Sequence, residues 1–425
     1  MTPELKTFLV FSLIKIIGVF TVVMIGVMMV IWAERRVSAW MQDRVGPNRV
    51  GWAGLMQSVA DGVKNILKEE TWPAKADRVL FLLAPVLAFT PALMLQAVIP
   101  FAAPLPAFDF DHVTLTLFGR QIFSIYVTQW VSHGPVPMVI ADLPVGFLYI
   151  LALTSFGVYG IVLAGWSSGS KYALLGGLRA SAQMISYEIA LGMTLVSVML
   201  LTGNVTLGEV ISRQQQSLWF VFPLTLGFLM FLICSLAETN RLPFDLPETE
   251  SELITGYHTE YSSMKFSMFF IAEYANLMTA SAMMATLFFG GWDIPFTSWD
   301  SGEPTILKSL ATMMFFVAKT LAFIFVFIWI RWTLPRFRFD QLMSLGWKIL
   351  LPMALFYIMV IATAAFVMEL NGIHMGRRYA AVLFGINLVL LVAIVFGLDR
   401  GRLIAATAVP EQNRRRVPAT RENAA

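Results

Sequence analysis

The chain has 425 residues, of which 57% are hydrophobic and 13% charged, with a formal net charge of +3. An ordinary soluble domain carries roughly 25% charged residues; at a mean hydropathy of +0.71 this chain lacks the polar surface of a water-soluble globule. The net charge sums over two membrane faces and identifies no partner.

A helix needs about 20 mostly apolar residues to cross a bilayer. Nine runs qualify: 8–33, 79–101, 142–165, 182–202, 218–238, 264–290, 308–332, 347–368 and 380–398. Their near-continuous apolarity predicts helices, because barrel strands would alternate at period two. No connection is long enough for a separate soluble domain, so 1–425 reads as one all-α polytopic membrane domain. The first run is too long for a signal peptide. It ends at WAERR without a small-residue cleavage site, so it reads as a first span.

The first connection, 34–78, opens with ERRVSAWMQDRVGPNRVG. Its GPN turn, Gly46 to Asn48, breaks any helix. Beyond it Leu55, Met56, Val59, Val63, Ile66 and Leu67 recur at helical spacing, with Gln57, Ser58, Asp61, Lys64, Asn65 and Lys68 opposite. The pattern predicts an amphipathic helix of about four turns, too short and too charged to span. It lies on the inner surface, or roofs a chamber with its polar groups turned toward a ligand entering from lipid.

Lys and Arg set the orientation. With the N-terminus outside, inner segments hold twenty-two bases and outer segments six. The expectation is N-terminus out and C-terminus in. The polar tail 399–425, with Arg414, Arg415 and Arg416, then reads as an inner-face anchor rather than a nucleic-acid patch.

Ionisable groups at membrane depth cost several kcal/mol and usually face a bundle interior or a wet cavity. Glu34, Asp142, Glu188, Glu238, Glu273, Lys15 and Lys319 lie within or beside the spans. Glu188 is expected one to two turns into the fourth span, Glu238 at the end of the fifth and Glu273 about three turns into the sixth. The fifth and sixth spans are joined by ETNRLPFDLPETESELITGYHTEY, 238–261, with six carboxylates and one base, Arg241. Packed carboxylates in a low dielectric raise one another's pKa and titrate together. Bridged by water, they would form a proton relay; the alternative is a solvated acidic loop with no role beyond solubility. Pro243 and Pro247 favour a fixed, non-helical path over an acidic helix face, and the loop 239–263 is the expected two-state element.

Cys234 is the only cysteine, whereas an iron–sulfur cluster takes about four such ligands. The four histidines fall outside the spans and far apart, and no Rossmann glycine motif or P-loop occurs. No metal site is expected, and if the chain belongs to a redox or pumping machine, the other parts lie on partner chains.

Four separated motifs carry a resemblance. ERR…QDRVGPNRVG…ADGVKNILKE, RASAQMISYE, AETNRLPFDLPETESELITGYHTEYSSMKF and RFRFDQLM…GWK, in this order between about 8 and 368, resemble the H-subunit family of bacterial NADH:quinone oxidoreductase, the counterpart of mitochondrial complex I subunit 1. The resemblance implies the membrane part of a quinone chamber, at the junction with a hydrophilic redox arm. Partner subunits would carry FMN and iron–sulfur clusters, quinone would be the substrate, and small membrane subunits and antiporter-like pumps would lie alongside. Carried over by motif, Glu34, Arg35 and Asp61 match quinone-binding positions, with Arg44 and Lys64 from the same loop. Glu188, Glu238 and Glu273 match the buried acids of the family's proton path. Glu248, Glu250, Glu252 and Glu260 match its acidic loop, and Asp142 is placed at the outer continuation. Thr249, giving PETE where Gly or Ala is usual, alters loop stiffness more than chemistry.

A membrane-bound hydrogenase or formate-coupled complex would use the same acids for proton supply without binding quinone; the full ERR–GPN–ADG loop favours quinone. A stand-alone proton-coupled transporter would show two similar halves, and the acidic loop has no counterpart in the first half. The tail, lacking an organelle signal, suits a multi-pass protein of the bacterial inner membrane. Ubiquinone and menaquinone are equally compatible.

Overall fold

The computed structural model describes residues 3–106, 113–117, 120–125, 136–245, 256–295, 297, 299, 302–373 and 376–399. Twelve α-helices run in order among them: α1 (Pro3–Met41), α2 (Gln57–Leu67), α3 (Arg78–Met94), α4 (Gly146–Ser167), α5 (Lys171–Thr202), α6 (Leu207–Gln216), α7 (Thr225–Glu238), α8 (Ser263–Phe288), α9 (Ile306–Thr333), α10 (Phe339–Ser344), α11 (Leu351–Leu370) and α12 (Arg377–Asp399). One π-turn, Leu345–Leu350, joins α10 to α11. Two short antiparallel pairs complete the described structure, β1 (Ala102–Leu105) with β4 (Val136–Met138) and β2 (Val113–Leu117) with β3 (Arg120–Ile125). The chain is an all-α polytopic membrane protein. Seven of its helical segments are long and apolar enough to cross a bilayer.

All nine predicted runs are helical, but two fall outside those seven. α8 is 26 residues long and carries Lys265, Glu273 and Asn276 among its apolar residues, so it is a polar interior helix. α7 has only 14 residues, about 21 Å. Its predicted first turns, 218–224, are irregular because Pro223 pushes the preceding residue out of the helical region. The backbone groups freed there are met by two buried amides. Gln214 accepts from Phe220 N (3.1 Å) and Gly290 N (2.9 Å). Asn387 of α12 donates to Pro223 O (2.6 Å) and accepts from Leu226 N (3.3 Å). Non-helical backbone at membrane depth requires such partners.

Helix limits also outrun the apolar runs. α1 continues to Met41, so Glu34, Arg35 and Arg36 belong to a helix, not to the connection after it. α5 begins at Lys171, which puts Glu188 nearly five turns from the helix start rather than one to two. Hydropathy reports contact with lipid and is blind to where helical hydrogen bonding stops.

α3 packs on α4 and α8, α4 on α5, and α5 on α7 and α11. Small residues permit close approach, as in membrane bundles generally. A Cβ on Gly160 of α4 would stand 2.7 Å from Ala88 N of α3. The core holds buried Phe147, Tyr187, Leu195, Leu224, Phe288 and Tyr357.

Candidate functional site

The site is assembled from the first connection, the segment after α7 and the helices beside them. Glu34 sits in α1 one turn before Ser38, whose hydroxyl donates to its carbonyl at 2.5 Å. The Glu34 residue is 4% exposed. Its carboxylate accepts from Arg241 at 2.9 and 3.1 Å, from the Tyr274 hydroxyl at 2.7 Å, and from Arg331 of α9. Arg241 reaches onward to Glu273 of α8, with Nε 2.8 Å from Oε1, and its guanidinium lies 4.3 Å from the centre of the Tyr274 ring. Two buried carboxylates thus share one buried guanidinium. Burial works against the charge on Arg241, but Glu273 and Glu34 more than offset it, so its pKa stands above the ordinary arginine value.

The turn carrying Arg241 is fixed from α5. Gln183, fully buried, donates to Ala237 O (2.8 Å) and Phe244 O (2.8 Å) and meets Asn240 Oδ1 at 3.3 Å. Arg336 donates to Asp245 O, and Phe337 N to Pro243 O at 3.2 Å. Burial pushes the Asp245 carboxyl up to about 7. Glu273 adds to this by repulsion, while Arg336, Arg331 and Arg241 pull the other way.

Beside this cluster, α2 is an amphipathic helix of eleven residues, three turns rather than four, because Trp52–Gly54 forms a separate 3-10 turn. Its polar groups face the protein. Ser58 donates to Met28 O of α1 (2.9 Å), Asn65 O accepts from Ser263 of α8 (2.9 Å), and Asp61 pairs with Arg35 of α1 at 2.6 Å while accepting from Gln57 at 3.1 Å. Val59, Val63, Ile66 and Leu67 are exposed on the other side. The GPN turn is tied to α1 by Arg36, which donates to Pro47 O (2.8 Å) and Ala53 O (3.3 Å), and by Trp32, which donates to Ala53 O (3.2 Å). Gly54 closes this loop at φ +75°, where a Cβ would meet Pro47 O at 2.2 Å. Arg44 is exposed, and its side chain bonds only Gln42 among the described residues (2.6 Å). Lys64 is exposed and stands 4.0 Å from Asp61.

On the other flank, Glu238 is the last residue of α7, as expected, and Glu273 lies almost three turns into α8. Two small cavities meet at Glu238, Thr239 and Asn276. One also reaches Glu273 and Tyr257, the other Thr154 and Ser235, and each leaves about 30 Å³ for the centres of water-sized molecules. A water needs about 10–15 Å³ on this measure and two to four polar partners, so both spaces fit water. Glu188 accepts from Thr154 (3.1 Å) and Ser155 (2.5 Å) of α4, and Thr154 lines the second cavity. Glu273 and Glu238 thus border one water-sized space, and Glu238 borders a second whose wall includes Thr154, the hydroxyl that Glu188 binds.

Three expected site residues, Glu248, Glu250 and Glu252, lie outside the described residues. Glu260 stands half-buried in a turn before α8, and Asp142 is exposed in the segment before α4. Among the described residues, neither makes a side-chain bond to the buried acids. Lys319 serves a different place: it donates to the carbonyls of Phe289, Gly291 and Asp293 at 2.7, 2.9 and 2.6 Å. It thereby satisfies the backbone where α8 ends. Sequence reasoning missed the bridging role of Arg241, and missed Tyr274, Arg331 and Asp245 altogether as site residues. The lone base among six acids was the available signal for Arg241.

The NADH dehydrogenase family profile matches residues 14–362. Over 371 residues the chain is 48% identical to an H-type NADH-quinone oxidoreductase subunit of Koribacter versatilis, the second of that type in its organism, covering 86% of this chain and 99% of that protein. It is 45% identical over 353 residues to the first H-type subunit of Cytophaga hutchinsonii, covering 83% and 96%. To the H-type subunit of Streptomyces avermitilis it is 46% identical over 353 residues, covering 82% and 72%. The chain belongs to the NADH dehydrogenase family of membrane subunits of NADH-quinone oxidoreductase, an oxidoreductase complex.

Proposed function

We propose that this chain forms the membrane part of the quinone-binding chamber and links quinone reduction to proton translocation. The observation that carries the reading is Arg241 held between Glu34 and Glu273. It joins a residue matched to the chamber to a residue matched to the proton path within one buried cluster. α2, with its apolar face outward and its polar face on α1 and α8, suits an entrance for a lipid-borne ligand. Arg35, paired with Asp61 at 2.6 Å, holds α2 against α1.

Quinone reduction consumes protons and changes the charge beside the inner-face cluster. The chain's own residues respond as coupled acids do. A change of charge near Glu34 or Asp245 alters the field at Arg241, and Arg241 shares its charge with Glu273. Glu273, Glu238 and Glu188 then hold or release protons through the two water-sized spaces. Flavin and iron–sulfur clusters on partner subunits would supply the electrons from NADH, while this chain would help to bind and orient quinone and would move protons. The excess of inner Lys and Arg supports an N-terminus outside and a C-terminus inside, in a bacterial inner membrane. Antiporter-like subunits alongside would receive the relay.

The test is a mild purification of the tagged chain from its membranes, assayed for inhibitor-sensitive NADH:quinone reduction. Activity that co-purifies with flavin and iron–sulfur signals supports the reading. An assembly that evolves or consumes hydrogen instead removes the quinone roles of Glu34, Arg35 and Asp61 and leaves the acids as a proton supply.

A further inference from the structure

An open apolar groove lies between α11 and α12. It offers about 460 Å³ and is lined by Met359, Thr363, Val367 and Met368 of α11 with Val382 and Ile386 of α12. α12 lies beyond residue 362, where the family match ends. α11 and α12 are both membrane-spanning helices, so the groove opens to the hydrocarbon region.

The groove has a direction. Along α11 it runs from Met359 to Met368, nine residues or about 14 Å. On α12, Arg378, Val382 and Ile386 follow one another at i, i+4 spacing on a single helix face. Arg378 therefore caps the same stripe that lines the groove, at the end where Met368 lies. Arg377 and Arg378 are both exposed, and neither has an ion-pair partner among the described residues. On the proposed orientation this end faces outward, where bases are scarce. The nearest acid in the sequence, Glu369, lies close enough to Tyr379 to act on it electrostatically, but it is not among the residues lining the groove and forms no ion pair with either arginine among the described residues.

A furrow of about 14 Å ending at a pair of arginines matches an amphiphile with an anionic head. Arginine forms paired hydrogen bonds with phosphate oxygens, and basic sites at helix ends recruit anionic lipid. We propose that α11 and α12 form a binding site for one anionic phospholipid, its phosphate on Arg377 and Arg378 and an acyl chain in the groove. The site fastens the last helix to the bundle beside Asn387, which accepts from the Tyr357 hydroxyl of α11 at 2.9 Å.

The experiment uses the intact complex, purified in mild detergent and exposed to phosphatidylglycerol carrying a photoreactive group in one acyl chain. Peptide mapping is expected to find label within 359–368 and 382–386, displaced by excess phosphatidylglycerol and not by phosphatidylcholine. Replacing both bases, Arg377→Gln with Arg378→Gln, is expected to lower labelling about thirtyfold, at about 1 kcal/mol for each base near the surface. Val382→Trp, which fills the groove and keeps both arginines, is expected to abolish it. Equal labelling by a phosphatidylcholine probe would overturn the proposal, as would unchanged labelling in the arginine variant. Labelling that appears only after the complex is dissociated would also overturn it, because a protein partner would then cover the groove. None of these outcomes depends on where quinone binds.

Discussion

At the scale of single residues the decisive feature is a charge balance. Glu34 and Glu273 supply carboxylates, Arg241 and Arg331 guanidinium groups, and the side chains of Glu34 and Arg241 are 6% and 5% exposed. Removing one member of a buried pair leaves the other charge uncompensated and costs roughly 3–5 kcal/mol. Arg241→Met is therefore expected to lower the thermal stability and yield of the assembled complex sharply. Adding Glu273→Gln is expected to recover part of that loss, since one stranded carboxylate is removed. A double variant no more stable than Arg241→Met alone, measured by thermal unfolding in detergent, would count against the shared guanidinium.

Asp245 offers a pH-dependent test. Its folded pKa, about 7, stands above the ordinary aspartate value of 3.8. Between those values the folded chain binds a proton that the unfolded chain has lost. The stability contributed by this group therefore falls as pH rises from about 4 to 7 and levels off above 7. Asp245→Asn removes the titration, so its stability relative to the unsubstituted chain is expected to be higher at pH 8 than at pH 5. Thermal unfolding at the two values decides this, and an equal difference at both would contradict the burial assigned to Asp245.

At the scale of elements, the first connection works as a fastened loop and not as a loose surface segment. Arg36 and Trp32 hold it from α1, and Gly54 folds back on Pro47 at a positive φ. An L-residue at Gly54 meets both an unfavourable conformation and the Pro47 carbonyl. Gly54→Ala is expected to shift α2 and raise the KM for quinone more than it lowers kcat. A fall in kcat at unchanged KM would separate this loop from quinone entry.

Elements were legible in the sequence to differing degrees. Apolar length located all nine long helical runs, and alternation of face located α2, because both depend on neighbouring residues. Pro223 hid the late start of α7, and the polar content of α8 concealed nothing about its helicity. Arg241 to Glu34, Tyr274 to Glu34 and Arg331 to Glu34 span 207, 240 and 297 residues. No local pattern encodes such distances. Motif resemblance placed Glu34 and Glu273 in separate roles, and only the packing of α1, α8 and α9 around one guanidinium joins them.

At the scale of the whole molecule, the chain is a membrane component of an oxidoreductase complex. Its proposed contribution is to make the proton occupancy of Glu273, Glu238 and Glu188 depend on events at the inner face. Glu238 is the most direct position to test, since both water-sized spaces touch it and replacing its carboxyl strands no buried cation. The measurement is NADH:quinone turnover together with protons moved per NADH, in proteoliposomes carrying the complex with Glu238→Gln. The account predicts a complex that assembles normally, with lowered inhibitor-sensitive turnover and lowered proton translocation. Unchanged turnover with unchanged pumping would contradict it.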